Sequence, residues 1–172
     1  MGQALGFAAA PMCSALRAFK GLPHRSEVIA RINGVSWVND TKGTNVGATL
    51  AAINGIGATL EGRLILLAGG VGKGADFTPL AAPLAQCARQ ALLFGLDAPR
   101  LAQALVGHVA TQQVDDLTQA MQIAFEIAQP GDCVLLSPAC ASLDQFANYQ
   151  ARGELFRHWV QRQAASSAGE VQ

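Results

Sequence analysis

Apolar positions along this chain switch repeatedly between strand-like and helix-like spacing, and the switches predict its elements. Glu27–Ile32 and Val35–Asn39 read as two strands joined by Asn33-Gly34, a pair suited to a two-residue hairpin turn. Val46, Leu50 and Ile53 then share one helical face, predicting a helix over residues 45–54 that Gly55 stops. Residues 63–68 (RLILLA) are almost continuously apolar, the pattern of a parallel strand buried on both faces. Thr78 stands next as an N-cap with Pro79 at the first helical position, and Pro83 shortens or kinks that helix. Residues 91–94 predict a short strand, Ala98–Leu105 a helix and residues 108–111 a weaker strand. Asp115 caps a helix over residues 116–129, where Leu117, Met121 and Phe125 fall four apart. Pro130-Gly131-Asp132 turns the chain into a last buried strand, Cys133–Leu136, and residues 143–163 predict a final helix interrupted at Gly153.

Strands alternating with helices predict an α/β domain: a Rossmann-like, mostly parallel sheet with helices on both faces and the N-terminal antiparallel hairpin at its edge. Residues 1–20 are Ala-rich, helical in pattern and outside the alternation. They read as the last helix of a preceding domain, residues 21–165 as the domain itself and residues 166–172 as a flexible tail.

Charge and composition narrow the partners. Twelve Lys and Arg balance twelve Asp and Glu, and only 14% of the 172 residues are charged. Binding to nucleic acid or to an anionic membrane through basic charge is therefore excluded. Cysteines 13, 87, 133 and 140 form no C-x-x-C pair and are too scattered for a disulfide framework, which suits a reducing compartment. The apolar N-terminal stretch has its first basic residue, Arg17, on the wrong side for a secretory signal, and no apolar run approaches the roughly 18 residues of a membrane span. A cytoplasmic location is expected.

Ligands of open parallel sheets bind beyond the carboxyl ends of the strands, so the loops that follow them hold the candidate chemistry. Three are unusual: residues 40–45 (DTKGTN), 69–76 (GGVGKGAD) and 137–142 (SPACAS). Each combines small residues with polar groups and is expected to lead into a helix N-terminus, which favours anions. GGVGKG after a strand invites a nucleotide phosphate-loop reading but fails that pattern twice, because it requires Gly where Leu67 stands and Ser or Thr where Gly74 stands. Lys73 is either a solvated turn residue or a single cationic contact for a carboxylate or phosphate. No G-x-S-x-G elbow surrounds Ser137 or Ser142, and His24, His108 and His158 occur in unrelated contexts, so neither these serines nor Cys140 reads as a nucleophile. No spacing of His and Cys supports a protein-made metal site. Asp40, at a strand end, is either part of a capped turn or matched to a ribose diol, and Arg25 precedes the sheet where a cation could face a phosphate.

GLPHR at 21–25, NDTKGTNVGAT at 39–49, GG-x-GK-x-x-DF at 69–77 and SPACASLDQFANYQARGELF at 137–156 together resemble, in order and spacing, the C-terminal domain of the Mur ligases, in the branch that adds D-glutamate. The similarity covers residues 21–163. The resemblance implies an ATP-dependent ligase of peptidoglycan biosynthesis. ATP phosphorylates the carboxylate of UDP-N-acetylmuramoyl-L-alanine, the amine of D-glutamate attacks the acyl phosphate, and Mg2+ neutralises the phosphates. By motif, Arg25 and Asp40 would contact ATP; Thr44, Lys73, Ser142 and the backbone of Leu143 would hold D-glutamate, with Tyr149 packing beside it where the family commonly has Phe. Lys42 and Asn39 would belong to the same pocket. Two departures stand out: Val71 replaces an acidic residue and Gly43 an alanine. The resemblance puts the phosphate loop, the metal ligands and the UDP-binding domain upstream of residue 1, so no complete catalytic set is expected here and the chain should bind rather than catalyse. The reading from the residues alone leaves an alternative: a non-catalytic small-molecule-binding α/β module.

Overall fold

The computed structural model describes residues 5–18 and 21–169. Six strands form one sheet in the order β1-β2-β6-β3-β4-β5: β1 (Glu27–Ile32), β2 (Val35–Asn39), β3 (Leu64–Gly69), β4 (Ala88–Phe94), β5 (Ala110–Gln113) and β6 (Cys133–Leu136). Only the β1–β2 hairpin is antiparallel, and its turn residues Asn33 and Gly34 both have positive φ, 50° and 79°. The α/β architecture with a mostly parallel sheet and an edge hairpin is therefore as the pattern predicts.

Alternation along the strands feeds two separate cores. Leu64, Leu66 and Ala68 of β3 and Leu135 of β6 pack under α2 (Val46–Gly57), α3 (Ala81–Cys87) and α4 (Ala98–Leu105). Ile65, Leu67, Val134 and Leu136 face the other way, under α5 (Leu117–Ile127) and α6 (Tyr149–Gly169), where Trp37 packs among Phe125, Phe156 and Trp159. Burial on both faces explains the continuous apolar runs. It also creates a switch point: β6 leads to a helix on one face, whereas its neighbours β2 and β3 lead to the opposite face. A crevice opens at their carboxyl ends.

Several boundaries differ from expectation. Helix α2 passes through Gly55 to Gly57, since Gly55 meets no strained backbone and the flanking Ile53 and Ile56 hold the helix to the sheet. Thr78 is not an N-cap. Its hydroxyl donates to the Asp76 carboxylate, Phe77 precedes a 3-10 turn at Thr78–Leu80, and α3 starts at Ala81 with Pro83 in its first turn, where a missing N–H costs little. Asp116, not Asp115, caps α5, accepting from the Gln119 amide at 2.8 Å. Strand β4 begins three residues earlier than expected, and β5 is displaced to Ala110–Gln113.

The largest difference is at the C-terminus. Residues 143–148 are turns, α6 begins only at Tyr149, and it runs uninterrupted through Gly153 to Gly169. Gly153 is there because of what it faces: a Cβ would lie 2.5 Å from His24 Nδ1 and 2.6 Å from Thr41 Cγ2. A glycine in a helix can mark close approach as well as an ending. The helix also continues past residue 165, while 170–172 lie outside the described residues. Helix α1 (Ala9–Ala18) has mostly exposed side chains. Among the described residues, no helix is long and apolar enough to cross a membrane.

Candidate functional site

The loops after β2, β3 and β6 lie side by side because their strands are adjacent, and backbone hydrogen bonds lock them together. Gly69 N donates to Pro138 O at 2.9 Å, Ala139 N to Gly43 O at 2.9 Å, and Val71 and Ala141 exchange both their bonds at 2.8 and 2.9 Å. Gly70 is obligatory at this seam: its φ is +121°, and a Cβ there would sit 2.1 Å from Ala141 O. Buried Thr49 of α2 adds a tie: its hydroxyl accepts from Ala139 N at 3.0 Å and lies 3.0 Å from Ser137 Oγ, to which it can donate.

Arg25, Asp40 and Lys42 are brought together with Ser26 and Gly43 around a cavity of about 340 Å3. Arg25 is exposed. Asp40 is only 8% exposed; its Oδ1 accepts from Ser26 N at 3.0 Å and its Oδ2 from Ser137 Oγ at 2.7 Å. Burial raises its pKa, against the opposing effects of those bonds and of the Arg25 charge. The Lys42 ammonium lies 3.9 Å from the centre of the Tyr149 ring, which half-buried Tyr149 also turns edge-on to His24.

The other candidates are distributed differently. Lys73 is exposed on the β3 loop with a φ of 53°, outside that cavity. Ser142 is buried and its carbonyl accepts from Gln145 N and Phe146 N, but α6 starts seven residues later, so the expected helix N-terminus does not follow it. The β3 loop likewise enters a 3-10 turn and not a regular helix; only the β2 loop leads directly into a capped helix, through Asn45. Leu143 is exposed and Thr44 half-buried. Asn39 is fully buried and engaged within the protein: Oδ1 accepts from Thr41 N, and Nδ2 donates to Gly153 O and faces His24 Nδ1. It holds the β2 terminus to α6. Cys140 is buried with its pKa pushed up to about 12, mainly by burial, and Ser137 is buried against Asp40, so neither is poised as a nucleophile. Among the described residues no three His, Cys, Asp or Glu side chains gather as metal ligands.

Two residues escaped the sequence reading. Arg152 is fully buried under all three loops; the available signal was an arginine between Ala151 and Gly153, four and eight residues ahead of Phe156 and Val160 on one helical face. Asp97 accepts from Gly72 N at 2.6 Å and from Arg100 at 3.0 Å. These bonds hold its carboxyl below the usual range and keep an anion at the Lys73 loop although residue 71 is Val.

Residues 24–140 match the family description "Mur ligase, glutamate ligase domain". The chain belongs to the Mur ligase family. Among its relatives, UDP-N-acetylmuramoylalanine–D-glutamate ligase of Chromohalobacter salexigens is 64% identical over 93% of this chain, and that of Nitrosococcus oceani 56% identical over 93%. The chain spans about a third of these curated relatives, 35% of each. The fold of the Mur ligases recurs in the crystal structure of MurF ligase from Thermotoga maritima in complex with ADP, with a TM-score of 0.60 and 17% identity over 95% of this chain and 36% of that one. The Mur ligase motifs at 39–49, 69–77 and 137–156 are thus carried by loops that are hydrogen-bonded to one another.

Proposed function

We propose that this chain is the amino-acid-binding C-terminal part of a ligase that joins D-glutamate to UDP-N-acetylmuramoyl-L-alanine with ATP, in the cytoplasm, for peptidoglycan synthesis. The observation that carries this reading is the hydrogen-bonded seam of Val71 and Ala141, which joins the 69–76 and 137–142 loops and so supports one site for the residues proposed to hold D-glutamate, Lys73 and Ser142. D-Glutamate has two carboxylates and needs two anion sites. Lys73 supplies a point charge, and Ser142 with the Leu143 backbone and Thr44 supplies hydrogen bonds. Tyr149 packs beside the amino acid, with Lys42 over its ring adding positive charge.

On the other side of the site, Asp40 accepts from the ribose hydroxyls of ATP and Arg25 contacts its phosphates, across the cavity the two residues share. In the reaction a carboxylate oxygen of the muramoyl substrate attacks the γ-phosphorus and ADP leaves; the amine of D-glutamate then attacks the acyl carbon, phosphate leaves and the amine loses its proton. Residues 21–169 bind and orient the amino acid for the second step. Mg2+ would neutralise the phosphates when bound; among the described residues no cluster of three His, Cys, Asp or Glu side chains is present to hold it. In this reading α1 (Ala9–Ala18) belongs to the domain that supplies the phosphate loop and metal ligands. The chain alone binds and does not ligate.

Calorimetric titration with D-glutamate tests this. Lys73→Ala and Ser142→Ala should each weaken binding by roughly ten- to a hundred-fold, the equivalent of one charged hydrogen bond. His158→Ala, at an exposed position of α6, should not change it. Equal affinities in all four proteins would remove the assignment.

A further inference from the structure

Arg152 is a cation on the apolar side of α6, and its partners are uncharged oxygens from three different loops. Nε donates to Thr41 Oγ1 at 3.0 Å, Nη2 to Thr41 O at 3.1 Å and to Cys140 O at 3.2 Å, and Nη1 to Gly69 O at 3.4 Å. Thr41 Oγ1 in turn donates to Tyr149 O at 3.1 Å, so the loop after β2 is also tied to the first turn of α6. Burial pushes the Arg152 pKa down to about 10, which leaves it charged at neutral pH. Stability alone does not account for it: a leucine or methionine would suit a stripe that continues with Phe156 and Val160, and well-packed apolar side chains are often at least as stabilising as buried charge.

What the guanidinium does is span. Thr41 lies between Asp40 and Lys42, Gly69 opens the loop that carries Lys73, and Cys140 is two residues before Ser142. We infer that Arg152 is a positioning residue, whose rigid planar fork fixes the distance between the loop of Asp40 and Thr44, proposed to face both the nucleotide and D-glutamate, and the two loops that carry Lys73 and Ser142. The inference rests on the ligand assignments made above. It touches neither substrate. Lysine cannot replace it, because one ammonium cannot reach three loops with a planar set of donors.

The test uses this chain, with Arg152→Lys, Arg152→Met and Thr41→Val, each first checked for cooperative unfolding. Amide hydrogen exchange is followed at residues 40–44, 69–73 and 139–142, with the central strand amides of residues 65–67 and 134–136 as reference. D-Glutamate affinity is measured on the same samples. In Arg152→Lys all three loops should lose tenfold or more in protection while the strands keep theirs, and D-glutamate binding should weaken at least tenfold. Thr41→Val, which removes the hydroxyl that accepts from Arg152 and donates to Tyr149 O, should loosen the 40–44 segment and leave the other two protected. If Arg152→Met does not fold, the other two variants carry the comparison.

Unchanged loop protection in Arg152→Lys would overturn the inference. So would a uniform loss that includes the strands, which marks a purely structural residue, and so would loosened loops with unaltered D-glutamate affinity. Failure of the unmodified chain to bind D-glutamate would instead remove the proposed function, and the exchange pattern would still decide whether Arg152 holds the three loops together.

Discussion

Ser137 Oγ donates to Asp40 Oδ2 across 2.7 Å, and the two groups meet where a methyl group on residue 43 would sit, 2.6 and 2.7 Å from them. Gly43 thus lets the loop after β6 grip the carboxylate at the end of β2. A methyl group at residue 43 and the bond between Ser137 and Asp40 therefore compete for one space.

Gly43→Ala should cost about 1 kcal/mol. The methyl group displaces a buried hydrogen bond worth about 1–3 kcal/mol when its partners are left unpaired, against a gain of about 0.4–1 kcal/mol from a less flexible unfolded chain. Guanidinium denaturation measures the difference. In the double variant with Ser137→Ala the two losses should be far from additive, since both remove the same bond; additive losses would show that the methyl group leaves that bond intact.

Gly153→Ala should destabilise despite improving helix propensity. Alanine gains about 0.5–1 kcal/mol over glycine inside a helix, but overpacking against a fixed neighbour costs about 1–3 kcal/mol, and here the Cβ meets the His24 ring and the Thr41 methyl group. A net loss is expected in thermal or chemical unfolding. Gly55→Ala, in α2 with open space around it, should stabilise. If both variants moved in the same direction, the contact with His24 and Thr41 would not be the cause.

Asp132 makes stability depend on acid. It is buried, and burial alone would raise its pKa; bonds from Arg89, the Arg63 amide and the Gln129 amide outweigh this and hold the carboxyl below its usual value. A folded-state pKa below the unfolded one means stabilisation that is complete well above the ordinary Asp value of about 3.9 and is lost as pH falls through the folded value. Asp132→Asn should cost about 2–4 kcal/mol near neutral pH, and the gap should narrow below about pH 3. Asp40 has the opposite sign: its raised pKa means that stability from this group falls as pH rises through the folded value. Urea denaturation over a pH series separates the two, and a gap for Asp132→Asn that stayed constant with pH would assign its cost to packing.

Tyr149→Phe should be nearly silent in stability and Tyr149→Leu should not. The Lys42 ammonium sits over the ring face, an arrangement worth about 0.5–1 kcal/mol at a partly exposed site, and phenylalanine preserves that face. Equal unfolding midpoints for the two variants would show that the ring face contributes nothing.

Local pattern carried most of the fold. Both hairpin strands, α4 and β6 have the bounds that periodicity predicts, because their signals, Asn33-Gly34, the amphipathic 98–105 stretch and the CVLL run, are complete within a few residues. Thr78 differs for a local reason, its hydroxyl being spent on Asp76 two residues before it. The larger difference falls where a partner distant in sequence decides the outcome: Gly153 answers to His24 and Thr41, more than a hundred residues away.

The same division holds at the candidate site. Sequence determined which loops end the central strands and which residue types they carry: Asp40, Lys42, Lys73, Ser142. Tertiary structure alone decided that these loops share a seam through Val71 and Ala141, that Asn39 is consumed inside the protein, and that a buried Arg152 lies beneath all three. The physical reason is range. Turn and strand preferences act over a few residues, whereas the guanidinium is satisfied only after strands β2, β3 and β6 have paired and brought Thr41, Gly69 and Cys140 within reach of one side chain.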